Sequence, residues 1–126
     1  MTHSQGLVPL YGGAPGENYC TGLDGLYDRA VSYYKQGARF CKWRTALEIN
    51  DAKGMPSNVA VTEAAWGLAR YARICQEAGL VPIVEPEIMI DGTHDIQTCV
   101  EVQEKVLTTV YKKIQENGVF LEGSLL

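Results

Sequence analysis

An α/β fold built on parallel strands is what this sequence predicts, and three observations predict it. Helix-period and strand-period stretches alternate, a glycine separates each helix from the strand after it, and charged side chains gather at strand ends. The stop glycines, Gly37, Gly79 and Gly118, lie about 40 residues apart, enough for a strand, a loop and a crossover helix. A parallel sheet lies open or closes into a barrel. Charges at strand ends favour the barrel, whose sites are assembled at the carboxyl ends of several strands, and the Gly-rich first turn of an open dinucleotide-binding sheet is missing. The expectation is therefore a partial (β/α)8 TIM barrel of about three βα units with parallel strands, one domain over residues 1–126. Eight such units need roughly 300 residues, against ~250 typical of the fold, so the chain reads as under half a barrel.

Each element has its own local warrant. Leu7 to Leu10 is a short apolar piece running into Tyr11-Gly12-Gly13-Ala14-Pro15-Gly16, a connecting loop whose spacing fits no phosphate-binding pattern. From Gly22, the apolar positions Leu23, Leu26, Tyr27, Ala30, Val31 and Tyr34 recur at three and four, predicting a helix that Gly37 ends. A strand follows over Arg39 to Arg44. Asn50 to Pro56 is a loop, after which Ser57 or Asn58 caps a helix whose stripe is Val61, Ala64, Ala65, Leu68, Ala69, Ala72 and Cys75. Gly79 stops it, and the strand Val81 to Ile88 begins; Pro86, unable to donate to a ladder, predicts that pairing ends there. Asp95 caps a third helix with a stripe from Ile96 to Ile114 and basic residues in its last turn. Beyond Gly118, residues Val119 to Leu126 are expected to begin another strand.

Composition narrows the functional classes. A net charge of -4 and a pI near 5.1 argue against nucleic acid as a partner, because phosphate binding calls for a basic face. No apolar run is long enough for a membrane span, and Met1 to Gly6 lack the features of a signal peptide, so no membrane partner and a cytoplasmic location are expected. Cys20, Cys41, Cys75 and Cys99 form no Cys-x-x-Cys pair and read as buried thiols rather than a disulfide framework or zinc site. His94, in Asp91-Gly92-Thr93-His94-Asp95, has no second histidine nearby to share a metal.

The candidate site follows from strand alternation. Phe40, Lys42 and Arg44 share one face of their strand while Cys41 and Trp43 take the other, with Trp43 expected to pack against helices. Likewise Glu85 and Glu87 share a face with Ile83, away from Val84 and Ile88. If the strands are neighbours, two cations meet two carboxylates. Such a group suits imine chemistry on a carbonyl or the binding of an anionic substrate, with the carboxylates carrying protons. The alternative is a structural ion-pair network.

Five stretches carry a resemblance: Gly22-Leu23-Asp24-Gly25-Leu26, Phe40-Cys41-Lys42-Trp43-Arg44, Leu68-Ala69-Arg70-Tyr71-Ala72, Val81 to Ile88, and Leu121-Glu122-Gly123-Ser124-Leu125-Leu126. Together they resemble class I fructose-bisphosphate aldolase, from about Gly6 onward. The resemblance implies a glycolytic and gluconeogenic barrel that reversibly cleaves fructose 1,6-bisphosphate to dihydroxyacetone phosphate and glyceraldehyde 3-phosphate. It does so through a lysine imine, without metal or cofactor. By the same resemblance Glu85 is the acid and base, Lys42 sits beside the reacting carbonyl, Arg44 lies near the phosphate end, and Glu87 holds the lysines by charge. It further implies a small-molecule sugar phosphate as the partner and a homotetrameric intact parent. The imine-forming lysine of the family follows directly after the position of Leu126, so the chain alone is expected to be inactive. Met1 to Gln5 depart from the family pattern. A shortened, non-catalytic chain acting as a binding or regulatory partner is the alternative function. Open strand edges and apolar faces of an incomplete barrel predict poor folding in isolation.

Overall fold

The structure, a computed structural model, describes residues 6–89 and 91–126; the expected departure at Met1 to Gln5 lies outside them. Strand β1 (Gly6–Pro9) and strand β2 (Asn18–Thr21) form an antiparallel hairpin closed by the Gly-rich loop. Helix α1 (Leu26–Lys35) leads to strand β3 (Phe40–Leu47), and helix α2 (Asn58–Glu77) to strand β4 (Val81–Ile88). Helix α3 (Ile96–Glu116) follows. Strands β3 and β4 pair in parallel, Phe40 opposite Val81 and Leu47 opposite Ile88.

Alternation along β3 is complete: its odd-numbered residues from Cys41 to Leu47 are buried and its even-numbered ones exposed. The buried side chains meet α2, whose Val61, Ala65, Leu68, Ala69, Ala72 and Cys75 form one core with Leu26, Val84, Val106, Val110 and Ile114. Burial of this size is the main source of stability, since a fully covered Leu, Val or Ile side chain contributes about 1.5–3 kcal/mol. Trp43 packs here as expected, its ring centroid 5.3 Å from that of Tyr71.

Both expected caps form. The Ser57 side chain accepts the Ala60 N–H, and the Asp95 side chain accepts the Thr98 N–H; hydrogen bonds from the Thr98 backbone and side chain hold the Asp95 carboxyl below its ordinary value. Gly79, at φ 92, turns the chain out of α2 in the left-handed region, with Leu80 N–H donating to Cys75 O.

Four expectations are corrected. The first helix begins at Leu26 rather than Gly22, because Gly25 at φ 72 occupies a left-handed turn that no helix continues through. Strand β3 runs on to Leu47, past the expected end at Arg44. Pairing does not end at Pro86, which lies opposite Thr45 inside the ladder. Val81 and Met89 N–H groups donate to Arg39 and Leu47 carbonyls beside β3, whereas Val84 N–H donates the other way, to Leu125 O. Pro82 and Pro86 share the parity of Val84, so their missing donors fall on the edge away from β3 and cost its ladder nothing. Finally, Val119 to Leu126 is not a strand. The Gln76 side chain takes both backbone groups of Phe120, accepting its N–H and donating to its carbonyl, and Leu121–Gly123 closes as a 3-10 turn. Only Leu125 reaches the sheet, as a single parallel bridge to Ile83.

Candidate functional site

The parallel register places Lys42 opposite Ile83 and Arg44 opposite Glu85, so each cation lies one pleat before an acid on the neighbouring strand. Long side chains span that diagonal. The Lys42 ammonium lies 3.0 Å from Glu85 Oε2, and the Arg44 guanidinium donates to Glu87 Oε2. All four expected residues therefore meet on one face of the sheet, opposite the α2 core.

Their electrostatics differ. The hydrogen bond and charge of Glu87 raise the Arg44 guanidinium above its ordinary value, and Arg44 holds the Glu87 carboxyl below its own, with the Lys42 charge a smaller contribution. Glu87 thus has Arg44 as its direct partner and feels Lys42 at longer range. Glu85 is held by charge: its Oε2 is covered yet receives no hydrogen bond, because the Lys42 contact is too oblique to be one. The side chains of Lys42 and Arg44 remain about half exposed, at 47% and 50%. A groove of Lys42, Glu85, Ile83, Gln103, Leu107 and Leu126 opens beside them.

Other predicted positions lie elsewhere. Cys41 and Cys75 are buried thiols on the core side, where the contact with Cys41 and burial push the Cys75 thiol far up. Among the described residues no cluster of His, Cys, Asp or Glu is arranged to hold a metal ion, and His94 takes no part in the charged group.

Two residues escaped the sequence reading. Glu17, only 8% exposed, accepts from Ser57 N–H, Ser57 Oγ and Ala14 N–H at 2.9, 2.6 and 2.7 Å, latching the hairpin loop to the first turn of α2. Burial pushes its carboxyl up, but the Ser57 and Ala14 hydrogen bonds win and hold it below its ordinary value. Behind the latch is a cavity of about 240 Å³ between the hairpin, β3 and α2. Tyr71 is the second, fully buried with its hydroxyl between the strands. A glutamate in a loop and a tyrosine beside an apolar stripe carry no local signal of either role; only the Gly-rich loop before Glu17 and the quoted stretch around Tyr71 drew attention to their surroundings.

Comparison with known proteins was made on the sequence and on the structure. A family model described as glycolytic, fructose-bisphosphate aldolase class-I, matches residues 2–126. The chain is 60% identical over 110 residues to fructose-bisphosphate aldolase of Plasmodium falciparum, covering 87% of this chain and 30% of that protein. It is 56% identical over 122 residues to cytosolic fructose-bisphosphate aldolase 4 of Arabidopsis thaliana, covering 97% and 30%, and a chloroplastic aldolase of the same plant is equally similar. In three dimensions it superposes on the Plasmodium falciparum aldolase solved in a ternary complex with TRAP and a small-molecule inhibitor, with a TM-score of 0.94 and 54% identity. That match covers 98% of this chain and 35% of the solved one. The chain thus spans about a third of the length of the relatives it matches, and its βα units correspond to part of their barrel.

Proposed function

The chain belongs to the class I fructose-bisphosphate aldolase family, and from that premise we propose that its open sheet face supplies the proton-transfer and anchoring groups for reversible cleavage of fructose 1,6-bisphosphate. The observation that carries this reading is the side-by-side arrangement of Lys42 against Glu85 and Arg44 against Glu87, two cations and two acids on one exposed face. Glu85 moves protons as the carbinolamine loses water, its covered oxygen lying 3.0 Å from the Lys42 ammonium on the open face. Lys42 places a positive charge beside the reacting carbonyl, Arg44 meets a substrate phosphate, and Glu87 fixes the angle of Arg44. The attacking amine belongs, by family resemblance, to the lysine that follows the motif seen here as Leu121 to Leu126, and Lys42 keeps a supporting role. A cytoplasmic location accords with the cytosolic relative, the equally similar chloroplastic one being the other setting, and an intact parent assembles as a homotetramer.

Borohydride trapping with dihydroxyacetone phosphate tests the assignment. An imine forms when a lysine amine adds to the ketone and water leaves, and hydride then fixes it as a secondary amine. The expected result on this chain is an unchanged mass. A stable adduct mapping to Lys42 would make Lys42 the nucleophile and overturn its supporting role.

The second reading, a non-catalytic binding partner, draws on one observation: Phe40, Val81, Leu125 and Leu126 are each at least 40% exposed around the same face. A chain that binds no sugar phosphate yet pairs with a partner through this face favours it.

A further inference from the structure

Tyr71 on α2 projects its phenol through the core into the β3–β4 ladder. The hydroxyl lies 2.8 Å from Cys41 O, 3.0 Å from Ile83 O and 3.1 Å from Ile83 N. It accepts the Ile83 N–H and has one proton to share between the two carbonyls. Ile83 is the residue opposite Lys42, and Cys41 immediately precedes Lys42. Within a ladder whose register runs unbroken from Phe40–Val81 to Leu47–Ile88, the hydroxyl therefore links the two strands at the level of Lys42 and one pleat before Glu85. The ring cannot drift, because the tilted Trp43 ring packs against it and no part of Tyr71 reaches solvent. Burial, then the Cys41 contact, push the phenol far above its ordinary value, so the hydroxyl keeps its proton across the working pH range.

We propose that Tyr71 is a positioning residue for the proton-transfer pair: by tying Cys41 to Ile83 its hydroxyl fixes how the two strands lie at the level that brings the Lys42 ammonium to Glu85. The inference rests on the reading of that pair given above. Tyr71 touches neither reacting group, acting through two backbone segments. The spacing matters because a charge contact at an oblique 3.0 Å depends on where the Lys42 stem leaves the strand. Without that link the Cys41 and Ile83 segments lose a shared anchor, and the diagonal from Lys42 to Glu85 is redrawn.

Zero-length cross-linking with a water-soluble carbodiimide reads that diagonal. The reagent activates the Glu85 carboxylate as an O-acylisourea; the Lys42 amine attacks, an amide forms and a urea leaves. Mass spectrometry of the digest then gives the Lys42–Glu85 yield relative to Lys113–Glu116, an ion pair within α3 that serves as the internal standard. In the unmodified chain the Lys42–Glu85 product is expected to be prominent. In folded Tyr71→Phe its ratio to the standard is expected to fall at least fivefold. Replacing Tyr71 by 4-aminophenylalanine, which keeps a donor and an acceptor in the same place, should restore it to within twofold. Leu68→Ala, which weakens the same helix without entering the ladder, should leave it unchanged. A Tyr71→Phe ratio equal to that of the unmodified chain would overturn the proposal. If Tyr71→Phe does not fold, the 4-aminophenylalanine variant decides alone, a collapsed ratio in a folded sample being the contrary result. Absence of the product in the unmodified chain would instead contradict the underlying pairing of Lys42 with Glu85.

Discussion

The two faces of the β3–β4 sheet differ in what they lack. The face toward α2 is covered: Cys41, Trp43 and Val84 are at most 1% exposed and interlock with Leu68, Tyr71 and Cys75. The opposite face is satisfied in charge but has little cover, with Lys42 and Arg44 half exposed and Phe40 at 56%. One strand thus carries two kinds of surface at alternate positions. Odd residues of β3 hold the fold together by burial, and even residues present charge at small energetic consequence.

The sharpest way to break this division is to damage the covered face. Leu68→Ala removes a fully buried side chain between helix and sheet, and a loss of about 2–5 kcal/mol is expected in urea unfolding followed by tryptophan fluorescence in dilute solution. A loss under 1 kcal/mol would show that α2 is not what anchors the sheet.

A smaller effect is expected at the hairpin latch. Glu17→Gln keeps the shape but gives up a carboxylate that accepts three hydrogen bonds, and roughly 1–3 kcal/mol should be lost at neutral pH. Its pH dependence has a defined sign. The folded carboxyl sits below its ordinary value of 4.5, so the stabilisation is fully present above that pH and disappears as pH falls through the lowered folded value. Stability curves of the two proteins should therefore converge in acid; parallel curves would mean that Glu17 is not ionised in the folded state.

How much of this was legible beforehand follows the same division. Period-two alternation put Lys42, Arg44, Glu85 and Glu87 on one face, because side-chain direction in a strand is a local property. Caps at Ser57 and Asp95 were equally local. What escaped depends on partners distant in sequence. The stretch after Gly118 has strand-like composition, but Gln76, 44 residues earlier, claims the backbone of Phe120. Pro86 looked like a terminator, and which edge its absent N–H faces is fixed only by the register with β3. The β1–β2 hairpin was missed because Asn18–Thr21 shows no clean alternation, and Glu17 because its partner Ser57 lies 40 residues on. Tyr71 stood outside the apolar stripe, with nothing to mark its hydroxyl as part of a strand ladder.

The measurement that bears most directly on the division is the unfolding free energy of the double variant Lys42→Met, Glu85→Gln against the unmodified chain. Both groups are partly exposed, and exposed pairs contribute about 0–1 kcal/mol, so a change within ~1 kcal/mol is predicted. A loss of about 3 kcal/mol or more would contradict the account, because it would make the charged face a structural ion-pair network and leave the proposed proton transfer without its motive.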